Sequence, residues 1–237
     1  MIFMMGNNKT IARIVGILFI IGTAAGIASA ISTFNILNSS DYLKMISENE
    51  TMMIIGALLV MIMALSLSMI PVVLYPIFRK YNEILALGAV LFRGALEAVA
   101  YIAIVLTWLA LVSLSREFTD AGVAEALIMQ NGMGDLLMHL EDWITHILAI
   151  VFSLGALMIY WLFYVSRLIP KWLSVWGLVG AVLYLFSPLI AMLGIEGFGV
   201  LMAPLAIQEM TLALWLIIKG FTPGVARKHS RENALGA

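Results

Sequence analysis

Apolar residues run almost unbroken through most of this chain, and the polar ones gather in short intervals between the runs. Six runs reach the length of about 20 mostly apolar residues that a bilayer crossing takes: 11–34, 52–78, 84–115, 143–165, 172–193 and 198–218. Inside hydrocarbon a backbone N–H or C=O finds no water, so each run predicts an α-helix. The third is long enough to tilt or to project from the bilayer. The pattern predicts an all-α, polytopic transmembrane helical bundle of six spans. It reads as one membrane domain over 1–221 followed by a basic, disordered cytoplasmic tail over 222–237.

The intervals set the orientation. Lys9, Arg13, Arg79, Lys80, Arg167, Lys171, Lys219, Arg227, Lys228 and Arg231 fall on one side, and Lys44 and Arg116 on the other. The acids Asp41, Glu48, Glu50, Glu117, Asp120, Glu125, Asp135, Glu141, Asp142 and Glu196 share the side poor in Lys and Arg. Positive charge marks the cytoplasmic face, so both termini are expected in the cytoplasm of a cell-membrane protein. Ala28-Ser29-Ala30 has the form of a signal-peptidase site, but the apolar run before it is longer than a usual signal segment. It is read as part of the first span.

Two outer intervals predict short helices. "DAGVAEALIMQNG" predicts an interfacial helix between spans 3 and 4, with Asp120 as N-cap and Asn131-Gly132 as its stop. "NSSDYLKMISENE" (38–50) predicts a smaller one. Its two glycosylation sequons are matches of pattern only.

Composition agrees with the membrane reading: 63% of residues are hydrophobic and 11% charged, against roughly 25% charged in a soluble domain. A net charge of −1 gives no electrostatic case for nucleic acid. Without cysteine there is no disulfide, thiolate chemistry or cysteine metal site. Sixteen methionines suit irregular apolar packing. Phosphate-loop, dinucleotide and Ser-His-Asp patterns are missing from the sequence, and its three histidines do not suit a haem held within the bundle. An enzymatic role is therefore not the leading expectation, and no cofactor is expected.

Three stretches carry a family resemblance: "LYPIFRKYNEILALGAVLFRGALE", "HILAIVFSLGALMIYWLFYVSRLIPKWLSVWGLVGA" and "PLAIQEMTLALWLIIKGF". They join a Tyr-Pro and basic turn to a helix with Arg and Glu, a Gly-bearing helix to an Ile-Pro turn, and a closing apolar span. Over about residues 9–221 the chain resembles the prokaryotic integral membrane family catalogued as domain of unknown function 4386. The resemblance implies a multi-pass plasma-membrane protein and supplies neither substrate nor catalytic residues.

Apart from Arg13 at the cytoplasmic edge of the first run, four charged or histidine residues fall inside the predicted spans: Arg93, Glu97, His146 and Glu209. Such residues are costly in lipid and usually face a bundle interior or a cavity. At about 1.5 Å per residue, Arg93 lies about 14 Å and Glu209 about 15 Å from the same cytoplasmic edge. Glu97 is one turn from Arg93 on the same helix face. One cation with two carboxylates at matched depth suits a proton-coupled carrier or a ligand-binding centre. The structural alternative is an intrahelical pair that neutralises a buried Arg, with Glu209 bonded elsewhere. Gln208, beside Glu209, and Tyr75, between Pro71 and Pro76, join the candidates. Prolines such as these and Pro204 can shape a cavity or simply bend a helix.

A second set lies toward the outer face. Asp135, His139, Asp142 and His146 follow a 4-3-4 spacing, which places them on one side of a continuous helix. Such a stripe can bind zinc or a similar divalent metal. A solvated acidic face with Asp135 as a helix N-cap explains it as well.

The leading expectation is a small carrier or ligand-binding membrane protein built around Arg93, Glu97 and Glu209. The alternatives are a metal-dependent enzyme acting on a lipid-like substrate at the outer face, and an accessory or structural subunit. The expected partners are the bilayer and a small molecule or lipid, with an oligomer left open.

Overall fold

The computed structural model describes residues 2–120, 125, 128–195 and 197–222, with side chains from Asn8 onward except at 119 and 120. Within them the chain is helical, with no strand. Six helices are long and apolar enough to cross a membrane: Asn8–Leu37, Glu50–Phe78, Glu83–Phe118, Gln130–Ser166, Lys171–Met192 and Phe198–Ile218. These are the six expected spans, most extended by a few residues at their ends.

The chain forms two compact units. Unit 1 holds residues 1–20, 66–97 and 149–237, and unit 2 holds residues 21–65 and 98–148. The first four spans each contribute residues to both, and the last two belong wholly to unit 1.

Unit 1 is held by close approach and aromatic packing. Phe78 and Phe163 meet edge to face with ring centroids 4.9 Å apart. Arg167 ends the fourth span in the left-handed region, at φ 52°. The turn it makes leaves the Leu168 carbonyl free to accept from the Thr222 N–H at 2.8 Å. Gly16 and Gly180 lie where a side chain would strike backbone, of Ala213 and Leu205 respectively. Small residues at such contacts let membrane helices pack closely.

Unit 2 packs Tyr42, Leu43, Ile46, Met53, Trp108 and Leu111 into one buried cluster. The short helix predicted in 38–50 forms as Tyr42–Glu48 and buries Tyr42, Leu43 and Ile46. Both cations of the Lys/Arg-poor side meet acids here: Arg116 pairs with Glu50, and Lys44 lies 4.0 Å from Glu48.

One expectation about this unit fails. Asn131-Gly132 does not stop a helix. Residues Gln130–Gly134 form a π-helical turn that runs directly into the helix Asp135–Ser166, so the fourth span begins well before residue 143. Tertiary bonds override the local stop signal: Gln130 Nε2 donates to the Ser40 carbonyl at 2.8 Å. The Tyr42 hydroxyl lies 3.2 Å from the Gln130 carbonyl and donates to Asp135 Oδ1 at 2.8 Å. Asp135 is thus helical and a hydrogen-bond acceptor, not an N-cap. Most of the interfacial helix predicted from Asp120 onward lies outside the described residues, as does nearly all of the tail at 222–237.

Burial and the bond to Asp135 hold the Tyr42 hydroxyl above the ordinary phenol range, so it remains a donor at neutral pH. Tyr42→Phe is expected to lower stability by about 1 kcal/mol, the usual net contribution of one hydrogen bond. Thermal melting in detergent measures it, and an unchanged midpoint would show that the bond contributes nothing.

Candidate functional site: a buried Arg–Glu–Glu centre

The third span is not a regular helix where its charges sit. Val90–Leu96, seven residues, is π-helical and centred on Arg93. A π segment widens the helix and leaves its backbone less regularly bonded, and such segments are frequent at functional sites. Fully buried Arg93 and Gly94 lie within it.

The Arg93 guanidinium is engaged on three sides. Nη1 donates to both carboxylate oxygens of Glu97, at 2.7 and 2.8 Å. Nη2 donates to Glu209 Oε1 at 3.0 Å, joining the third span to the sixth. The ring of Phe152, from the fourth span, faces the guanidinium carbon 4.0 Å from its centroid, a cation–π contact. Arg93 and Glu97 are each 1% exposed, and the Glu209 side chain is 12% exposed.

Close backbone approach lets the fourth span reach the centre. A Cβ added to Gly155 would sit 2.6 Å from the Arg93 amide nitrogen and 2.9 Å from its Cα. Only glycine fits. One turn away, Phe152 packs against Tyr184 of the fifth span with ring centroids 4.7 Å apart.

Buried polar groups accompany the ion cluster in the same unit. Gln208, next to Glu209, is fully buried, and its Nε2 donates to the Leu173 carbonyl at 3.0 Å. The buried Tyr160 hydroxyl and the Gln208 amide lie within reach of each other, and Ser174 Oγ has no hydrogen-bond partner. The Tyr160 ring fills the place that a side chain at Gly177 would need. A buried polar atom without a partner is exceptional in native structures and calls for a reason.

The sequence candidates divide. Arg93, Glu97 and Glu209 come together, with Gln208 beside them. Tyr75 does not join them. Its hydroxyl lies 3.4 Å from Glu83 Oε1, and Arg79 stands over its ring, so its polar end serves the turn between the second and third spans. The outer stripe does not converge either. Asp135 accepts from Tyr42, and His146 Nδ1 lies 2.6 Å from the backbone carbonyl of Asp142. Among the described residues, no three His, Asp or Glu side chains are placed to hold one metal ion. Phe152, Gly155, Tyr160 and the π segment escaped the sequence reading.

The family model described as a domain of unknown function, DUF4386, matches residues 14–220. The chain belongs to this family. The DUF4386 match takes in most of the first span, all of the other five and every member of the Arg93 centre. Searches of curated proteins and of solved structures gave no match.

Proposed function

We propose that this DUF4386 protein is a small carrier or ligand-binding protein of the cell membrane, with Arg93, Glu97 and Glu209 as its working centre. The observation that carries the reading is one buried guanidinium shared by two carboxylates from different spans. Neutralising a buried Arg takes one carboxylate. With two ionised, the centre holds one excess negative charge among apolar helices, which is costly unless a cation balances it. A proton on the less enclosed acid, Glu209, does so, and a carrier that takes up and releases that proton is coupled to it.

In proteoliposomes carrying a pH-sensitive dye, solutes that the protein carries should change the lumenal pH. Glu209→Gln should abolish that pH coupling while leaving the melting midpoint near the wild type. Solute flux whose pH dependence survives in Glu209→Gln would end the proton-coupled reading. The near-complete enclosure of Arg93 favours one rival, an accessory subunit in which the cluster only ties helices together. No solute-dependent flux at any pH, with strong destabilisation by every substitution at the centre, is the result that reading gives.

The charge bias further supports cytoplasmic termini. Cysteine at Ser39 should react with an impermeant thiol reagent in intact cells, and cysteine at Asn82 should not. Labelling at Asn82 would overturn the orientation.

A further inference from the structure

The Lys/Arg-rich face of unit 1 gathers lysines from the first, fifth and sixth spans. Lys9 of the first span lies against Gly220, its Cγ 3.7 Å from where a Cβ there would sit. Lys219 precedes Gly220, and its N–H donates to the Trp215 carbonyl at 2.8 Å, so the two side chains stand one turn apart on one helix face. The Trp215 ring meets Trp172 of the fifth span edge to face, with centroids 6.4 Å apart. Lys171 adjoins Trp172 in the chain.

These lysines are exposed, and among the described residues none of the three forms a salt bridge. Lys171 instead stands over the Tyr164 ring, 5.8 Å from its centroid. The contrast with the opposite face is direct, because Lys44 and Arg116 each meet a glutamate there. The patch is thus charged and left open to an anion from outside the chain.

A second set of observations says what kind of anion. Trp172 stays 52% exposed although it packs against both Trp176 and Trp215. Tryptophan at the end of a membrane helix marks the level where acyl chains give way to headgroups. The Trp215 indole N–H is buried and has no hydrogen-bond partner, which is unfavourable until an acceptor is supplied. From Lys219 the sixth span leads into the bilayer with Ile218, Leu214 and Ile207 exposed on one side.

We propose that this edge of unit 1 binds an acidic phospholipid. Its phosphate lies among Lys9, Lys171 and Lys219, and one acyl chain runs along Ile218 and Leu214. The ester oxygens just below the phosphate lie at the level of the Trp215 N–H, which lacks an acceptor. Charge selects an anion, as basic patches at the ends of membrane helices do. The exposed indole and the apolar column select acyl chains over a free phosphate. The site does not depend on the Arg93 centre.

The test uses purified full-length protein in an uncharged detergent, with binding followed by native mass spectrometry and thermal shift. Dioleoylphosphatidylglycerol and dioleoylphosphatidylcholine share their chains and phosphate and differ in net charge. Glycerol 3-phosphate carries the phosphate without chains. The phosphatidylglycerol should bind about tenfold or more tightly than the phosphatidylcholine. Lys9→Gln with Lys219→Gln should remove that preference and leave phosphatidylcholine binding unchanged. Arg79→Gln with Lys80→Gln takes the same charge from the turn between the second and third spans and should keep most of the preference. All four substitutions fall on exposed residues. A salt titration of the wild type reads the preference without any variant, and it should decline as salt screens the lysines. Equal affinity for the two lipids, a preference that salt does not change, or equal losses in the two double variants overturns the proposal. Displacement of phosphatidylglycerol by an equal concentration of glycerol 3-phosphate overturns it too, since the occupant would then be a free anion.

Discussion

Arg93→Ala is expected to cost about 3–5 kcal/mol of stability, the range for a buried ion pair stripped of one partner. The loss is dominated by what stays behind. Glu97 is 1% exposed, and without the guanidinium its carboxylate has neither water nor a cation. The same applies in lesser degree to Glu209. Arg93→Ala combined with Glu209→Gln should therefore be less damaging than Arg93→Ala alone, because one stranded charge is gone. Glu97→Gln and Glu209→Gln singly should be milder, since each leaves Arg93 one carboxylate. Melting of single and double variants in detergent gives the coupling directly. Strict additivity would mean that the two residues do not interact energetically, and the centre would not exist as a unit.

Gly155→Ala should be nearly as damaging, though it removes no interaction. Its new methyl would press on the backbone nitrogen and Cα of Arg93 at 2.6–2.9 Å. Overpacking a tight core costs roughly 1–3 kcal/mol, and the upper end applies here because a backbone cannot rotate away as a side chain can. The shift must move either the fourth span or the π segment that carries Arg93, so the Arg93–Glu209 bond should weaken with it. Gly132→Ala is the control: nothing lies within 4 Å of a Cβ there. Equal midpoints for the two variants would show that the close approach at Gly155 does not constrain the protein.

The spans were legible because lipid permits so few solutions. A long apolar run has no option but a helix, and only their ends shifted. The Arg93–Glu97 contact was legible from i,i+4 spacing, and Arg93–Glu209 from matched depth along two helices. What stayed hidden depends on tertiary context. Nothing in "AVLFRGALE" announces a π segment, since its mix of strong and weak helix formers, one glycine included, is common in membrane helices. Gly155 read as one small residue among many, and its meaning comes only from the Arg93 backbone against it. "QNGMG" carries a stop signal that Tyr42 and Ser40 override from far along the chain. Tyr75 misled because prolines on both sides suggested a shaped cavity, whereas its hydroxyl reaches only the next turn. The Asp/His stripe had the right helical spacing, but spacing says nothing about which side chains are already engaged.

Under the proposed function the Arg93 centre takes up and releases one proton, with Glu209 as the exchanging carboxyl. Infrared spectroscopy of the protein in lipid, titrated across the pH range, tests it without knowledge of the substrate. At pH above the range where exposed carboxylates titrate, the wild type should still show one protonated-carboxyl stretch, lost as the pH rises further. It should be absent from Glu209→Gln and remain in Glu97→Gln. A band in that range unchanged by Glu209→Gln, or no band there, would contradict this and leave Arg93, Glu97 and Glu209 as a fixed tie between helices.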